Sequence, residues 1–311
     1  MKKIFKVLIL LTAFYKAQSQ GCSDAGFCTA GSIKPTSANQ IDNSFGFTLG
    51  YGLGEQKTHV ITPQFEPQIK VSSKSMVQAK IPFVFINGKV GSVKGFGDVV
   101  LTYNYLMDST FKNPVTLTFG TRIATGTSAL KAKNIPLPMP YQVSLGTTDL
   151  ILGAKMQLKK GFSISVGCQL PMFNKNQNGF DSASFKLVRE KGLENGIIND
   201  EENYFISSQL KRKADILLRV DRIFKIKSDM LSIGLLPIYH LGNDKVELNN
   251  QTIEIENSRG LTLNFNCGFY HKWGNNLELS AVFAAPLIVR ESRPDGLTRA
   301  VVFVTGIRYY L

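Results

Sequence analysis

Eight segments of this chain alternate between apolar and small or polar residues at every second position, and one of the two frames never carries a charge. Phe45, Phe47, Leu49, Tyr51 and Leu53 open the series. Val99 to Met107, Val115 to Ile123, Leu150 to Leu158, Phe162 to Leu170, Leu261 to Phe269, Leu277 to Ala285 and Val301 to Leu311 repeat it. A period of two is the strand period, in which alternate side chains leave opposite faces. The apolar frame covers forty-one positions, and only the hydroxyls of Thr121 and Thr305 interrupt it. Since 19% of the chain is charged, about eight charges would fall there if the two faces were equivalent. One face of every predicted strand is therefore apolar.

Three features say what that face meets. The opposite frame is rich in Gly, Ser, Thr and Asn and carries six charges, Asp98, Arg122, Asp149, Lys155, Glu278 and Arg308, which suits a crowded polar lumen. The predicted strands exceed the usual length of about 5–6 residues and match a tilted bilayer crossing. Weaker strands near 60–72, 75–86, 205–221 and 230–241 bring the count to twelve. The connections then alternate, long at 54–59, 87–96, 126–146, 172–204, 242–258 and 289–298 and short at 72–74, 108–113, 159–160 and 272–275. Outer-membrane barrels show this asymmetry, with long loops outside and short turns in the periplasm. An even strand count closes the sheet, which hydrocarbon requires because no water is present to satisfy an edge. The expected fold is all-β, a closed antiparallel transmembrane barrel of about twelve strands over residues 43–311, in one domain. Tyr103, Tyr105, Phe111, Tyr270, Trp273 and Tyr309 are placed for aromatic girdles at the two interfaces.

Residues 1–19 read as a secretory signal peptide: Lys2, Lys3 and Lys6 precede a short apolar core, and Ala17-Gln18-Ser19 offers a cleavage site. No later stretch reaches the ~18–20 apolar residues of a spanning helix. Residues 20–42 form a periplasmic N-terminal segment, where an oxidising compartment permits a Cys22–Cys28 disulfide. Gly21-Cys22 also fits an acylated lipoprotein end, although Ser19 stands where such signals usually carry Leu. Cys168 and Cys267 lie in apolar registers as small hydrophobes. Removing the four leader lysines takes the net charge from +13 to +9, dispersed and without a basic tract, so nucleic acid is a poor partner for this exported chain. With three histidines and no C-x-x-C pair, no metal site or other cofactor is expected.

Gly95-Phe96-Gly97-Asp98, Phe119-Gly120-Thr121-Arg122-Ile123-Ala124-Thr125-Gly126 and Leu145-Gly146-Thr147-Thr148-Asp149-Leu150 together resemble the outer-membrane barrel family named for the meta-pathway of phenol degradation, relatives of the long-chain fatty-acid transporter class. That family's pattern is a G-x-G-D strand start, a P-T-G strand end, a long loop and G-T-G-x-x-D. Here Ala124 stands in place of the Pro, and Thr148 departs from the second glycine motif. The resemblance covers residues ~95–160. It implies passage of small, often hydrophobic or aromatic solutes through an outer-membrane barrel.

The strand frames place Asp98, Arg122 and Asp149 inward on adjacent strands near the external rim, where a guanidinium can fork between two carboxylates. Such a cluster either holds register or forms a constriction that biases entry, and Lys155, deeper on the same side, could extend it. Glu278 and Arg308 face each other near the periplasmic end as a closing ion pair. The long connection 172–204 either folds into the mouth as a plug or stays a solvated surface. The Pro-rich run Ile135-Pro136-Leu137-Pro138-Met139-Pro140 either shapes an apolar entry or stiffens an external loop. An outer-membrane lipase would need a Ser activated by His, and neither His59 nor His240 has a Ser partner at strand spacing, while His271 falls in a periplasmic turn. The expected role is thus a non-enzymatic channel or transporter in outer-membrane lipid, passing small hydrophobic molecules passively along a narrow lumen or by a lateral exit. The alternative is a closed structural barrel whose loops bind a partner.

Overall fold

The computed structural model describes residues 41–107, 113–192, 204–296 and 299–311. The predicted leader (1–19), Cys22, Cys28 and Phe111 lie outside the described residues. The chain is a closed antiparallel barrel of twelve staves. Its strands are β1 (Ser44–Gly54), β2 (His59–Ser72), β3 (Ser75–Gly88), β4 (Gly91–Phe96), β5 (Val99–Leu106), β6 (Val115–Ile123), β7 (Thr147–Gln157), β8 (Phe162–Asn174), β9 (Asp215–Ile226), β10 (Asp229–His240), β11 (Gly260–Trp273), β12 (Leu277–Ile288) and β13 (Arg299–Tyr310). Each stave pairs with its neighbours in sequence, and β13 closes the ring on β1.

β4 and β5 are two halves of one stave. Lys80 pairs with Val100 while Phe83 pairs with Phe96, so one extra residue is inserted between them at Gly97-Asp98. That is a β-bulge, which breaks the ladder locally and re-aims side chains. The stretch 87–96, expected as a loop, is therefore mostly strand, folded back after Gly88. The strand expected at 205–221 begins instead at Asp215 and runs to Ile226. Its outward frame is Ile216, Leu218, Val220, Arg222 and Phe224, while Arg219 and Asp221 pair inside the barrel at 2.8 Å. The two inward charges hide the alternation from a reading of the sequence.

Exposure runs opposite to that of a water-soluble protein. Phe47 is 50% exposed and Phe303 46%, whereas inward Thr118 and Ser165 are each 1% exposed. Large apolar side chains form the outer wall and hydroxyls and amides fill the inside, the arrangement that hydrocarbon solvent demands. Tyr103, Tyr105, Trp273 and Tyr309 are exposed on the outer wall, as girdle residues should be. Tyr270 is not: its frame on β11 faces inward, and its ring lies against Gly268. Cys168 and Cys267 are unpaired and half-buried in the outward frame. No described helix is long and apolar enough to cross a membrane.

One end of the barrel carries the long connections 124–146, 175–214, 241–259 and 289–298, and the other carries turns such as 73–74 and 227–228. At the short-turn end the expected Glu278–Arg308 ion pair does not form, although the two residues are register partners. The Arg308 guanidinium instead crosses β1 to reach Glu66 Oε2 at 2.6 Å and donates to Ser44 Oγ at 3.0 Å. Gly46 explains the detour, since a Cβ there would sit 2.8 Å from Arg308 Nη2 and 3.3 Å from Glu66 Cβ. Glu278 accepts from the Tyr310 hydroxyl instead. Gly46→Val should therefore break the buried Arg308–Glu66 pair and cost about 3 kcal/mol. The check is a lower urea midpoint for barrel unfolding in lipid.

Candidate functional site

The three motif segments converge at the long-loop end of the lumen. Arg122 and Asp149 are register partners on β6 and β7, and Arg122 Nη2 lies 2.5 Å from Asp149 Oδ2 and 2.9 Å from Thr147 Oγ1. The bulge brings Asp98 within 3.9 Å of Arg122 Nε. Asp98 also accepts from the backbone N–H groups of Gly126 and Leu145, both at 3.4 Å, and so pins both ends of the loop that joins β6 to β7. Thr125 completes the junction, its hydroxyl donating to Gly97 O and accepting from Val99 N. The Gln169 amide donates to Asp149 from β8. Arg122 Nε and Nη1 are buried and have no hydrogen-bond partner within the described protein.

Lys155 does not extend this cluster. Six residues along β7 from Asp149 carry it about 20 Å toward the short-turn end. There it lies across Ser165 from Arg219, in a second charged level shared with Asp221. The sequence reading missed Arg219 and Asp221, whose only signal is that both occupy the inward frame of a correctly bounded β9.

Above the Arg122 cluster the loops close the mouth. Leu137, Tyr141, Val143, Phe180, Val188 and Tyr204 form an apolar cluster against the inward residues Val60 and Ile86. The Tyr141 hydroxyl accepts from Val90 N at 3.2 Å and from Thr58 Oγ1 at 3.4 Å. The Pro-rich run is therefore buried inside the mouth. Of the connection 172–204, the described part up to Gly192, including helix α1 (Ser182–Lys191), contributes Phe180 and Val188 to that plug. A cavity of about 90 Å³ remains beneath it, bordered by Lys80, Asp98, Arg122, Pro140 and Val143. At roughly 10–15 Å³ per water, it has room for several waters.

A second buried network fastens the other loops. His240, at the end of β10, lies 2.6 Å from Asp215 through Nδ1 and 2.9 Å from Asp244 through Nε2. Arg290 bonds Asp295 and lies 3.6 Å from Asp244, and Arg212 reaches Asp215 at 2.8 Å and Asp295 at 3.3 Å. Both imidazole nitrogens face carboxylates, which the ring satisfies by donating from both as imidazolium. Burial opposes ionisation of Asp295, but Arg290 and Arg212 outweigh it and hold the carboxyl below the usual carboxylate range. A carboxyl depressed in the folded state stabilises it above its unfolded pKa and loses that contribution as pH falls through the folded value. The 289–296 loop should thus stay protected from hydrogen exchange at neutral pH and loosen only below about pH 4. His59 bonds the Tyr51 hydroxyl on the outer wall, and His271, placed on β11 and not in a turn, bonds Asp229. Among the described residues no group of three or more His, Cys, Asp or Glu is arranged to hold a metal.

No family model matches the chain, and no curated protein matches it. Among solved structures it is similar to an outer membrane channel from Pseudomonas putida F1, with 12% identity over 88% of this chain and 98% of that one and a TM-score of 0.56. The chain has the fold of an outer-membrane β-barrel. The NanC porin (8% identity, 86% and 100% covered) and the translocator domain of the Neisseria meningitidis autotransporter NalP (11%, 88% and 90%) both reach a TM-score of 0.47, too low to refine the comparison. The narrower likeness to the phenol-degradation barrels rests on the three motifs alone.

Proposed function

We propose that this chain is an outer-membrane channel for small, largely apolar or aromatic solutes, related to the phenol-degradation barrels and gated at its long-loop mouth, which faces the cell exterior. The observation that carries the reading is the lumen itself: polar side chains line it from the short-turn end up to the Arg122 level, and the apolar mouth cluster and the Pro-rich segment stand above, beside the charged network around His240. An apolar solute would be received by the mouth cluster and passed to a hydrated, charged constriction that sets its orientation. Passage is passive, with no catalytic step and no cofactor. Proteoliposomes carrying the purified chain should swell in isotonic solutions of small aromatic solutes and stay unresponsive to large oligosaccharides. A folded, correctly inserted barrel that passes none of the small solutes would instead support the alternative of a sealed structural barrel.

A further inference from the structure

We propose that the short-turn rim carries a binding site for the headgroup of an anionic phospholipid, at the step where β9 runs past the turn joining β7 to β8. This rests on the barrel spanning a membrane and not on whether its lumen conducts. The last residue pair between β8 and β9 is Phe162 with Arg222, and β9 continues to Ile226 without a strand partner on that edge. The step leaves a groove of about 390 Å³ bordered by Leu158, Lys160, Gly161, Phe162, Ile223 and Lys225. Gly161, at φ 77°, brings the turn against the Ile223 carbonyl where a side chain would not fit.

Arg222 belongs to the outward frame, on the lipid-facing wall. Its guanidinium carbon lies 4.6 Å from the Phe162 ring centroid and 5.2 Å from that of Phe224. Its Nη1 is shielded from water and has no hydrogen-bond partner within the described protein. Arginine cannot shed its proton, so this is a permanent cation held between two aromatic faces on a membrane surface. The neighbouring carboxylates are already engaged: Asp221 turns inward to Arg219, and Asp229 pairs with His271 at 2.6 Å. Lys160 and Lys225 border the groove and are exposed, and Lys159 and Lys227 flank it. Among the described residues no carboxylate pairs with this guanidinium, so an anion from the surroundings would complete the cluster, and a phosphodiester offers oxygens for charge-assisted hydrogen bonds. Above the rim, Phe162, Val166, Leu218 and Val220 are exposed on the outer wall, offering a track for acyl chains. The uncompensated positive charge repels a headgroup that carries its own ammonium, which selects anionic over zwitterionic lipid.

The test is native mass spectrometry of the full chain, released from detergent after incubation with phosphatidylglycerol or phosphatidylcholine at equal concentrations. One phosphatidylglycerol should be retained with about a ten-fold preference. The variant Lys160→Gln/Lys225→Gln, which leaves the Arg222 stack and the barrel untouched, should weaken that preference, and adding Arg222→Gln should abolish it. Heat-modifiable gel mobility reports that each variant is folded. Equal retention of the two lipids, a preference unchanged in the folded triple variant, or displacement of the lipid by millimolar inorganic phosphate would each overturn the site.

Discussion

Replacing residues 131–141 with a short Gly-Ser linker should convert rare, small conductance steps in a planar bilayer into large, sustained ones. The ends of the excised segment already lie together, because the Gln142 side chain accepts from Leu130 N and donates to Leu130 O, so a few linker residues bridge them without strain. No stave loses a pairing partner, since every barrel register lies outside 124–146. What is lost is Leu137, Met139 and Tyr141 from the mouth, together with the surface on which Gly296 packs closely. The cavity beneath Pro140 would then open directly to the exterior. A shortened barrel that stays folded yet passes no more current than the intact chain would place the barrier deeper, at the Arg122 level, and would remove the mouth as the gate.

How much of this was legible from sequence depends on where each partner of an interaction lies. Eight staves declare themselves because their outward frame is uniformly apolar, a pattern that lipid imposes on every residue of the wall. β9 is blurred because Arg219 and Asp221 occupy its inward frame while Lys211-Arg212-Lys213 precede it. The Asp98–Arg122–Asp149 cluster can be placed from alternation alone, since each member sits at a strand end in a known frame on neighbouring staves. The true partner of Arg308 cannot be placed that way. Its route to Glu66, two staves away, depends on the side chain that Gly46 lacks on the stave between, and no pairwise strand reading registers that absence. The network around His240 is hidden for another reason. Arg212, Asp244, Arg290 and Asp295 lie in connections, where no period relates one residue to the next.

Arg122→Ala should produce the largest single-residue effect in the lumen, on two separable readouts. Asp149 is fully buried, and removing the guanidinium leaves its carboxylate with the Gln169 amide as hydrogen-bond partner and only the more distant Arg212 as counter-charge. Breaking a buried pair in this way costs about 3–5 kcal/mol, visible as a lower unfolding midpoint in lipid. Asp98 would lose the same cation while still pinning Gly126 and Leu145, so the constriction would keep both carboxylates and lose one of its cations, with Lys80 remaining beside the cavity. Under a salt gradient the reversal potential should shift toward cation selectivity. Arg122→Lys separates the roles: it restores the charge but cannot fork between Thr147 and Asp149 while its stem lies beside Asp98. Lysine should therefore recover the selectivity of the parent while recovering only part of its stability. Loss of stability in the alanine variant with an unchanged reversal potential would reduce Arg122 to a register-holding residue. In that case the next place to look for the ion-selective barrier is the deeper level of Lys155, Arg219 and Asp221, where an entering solute could also be sorted by sign.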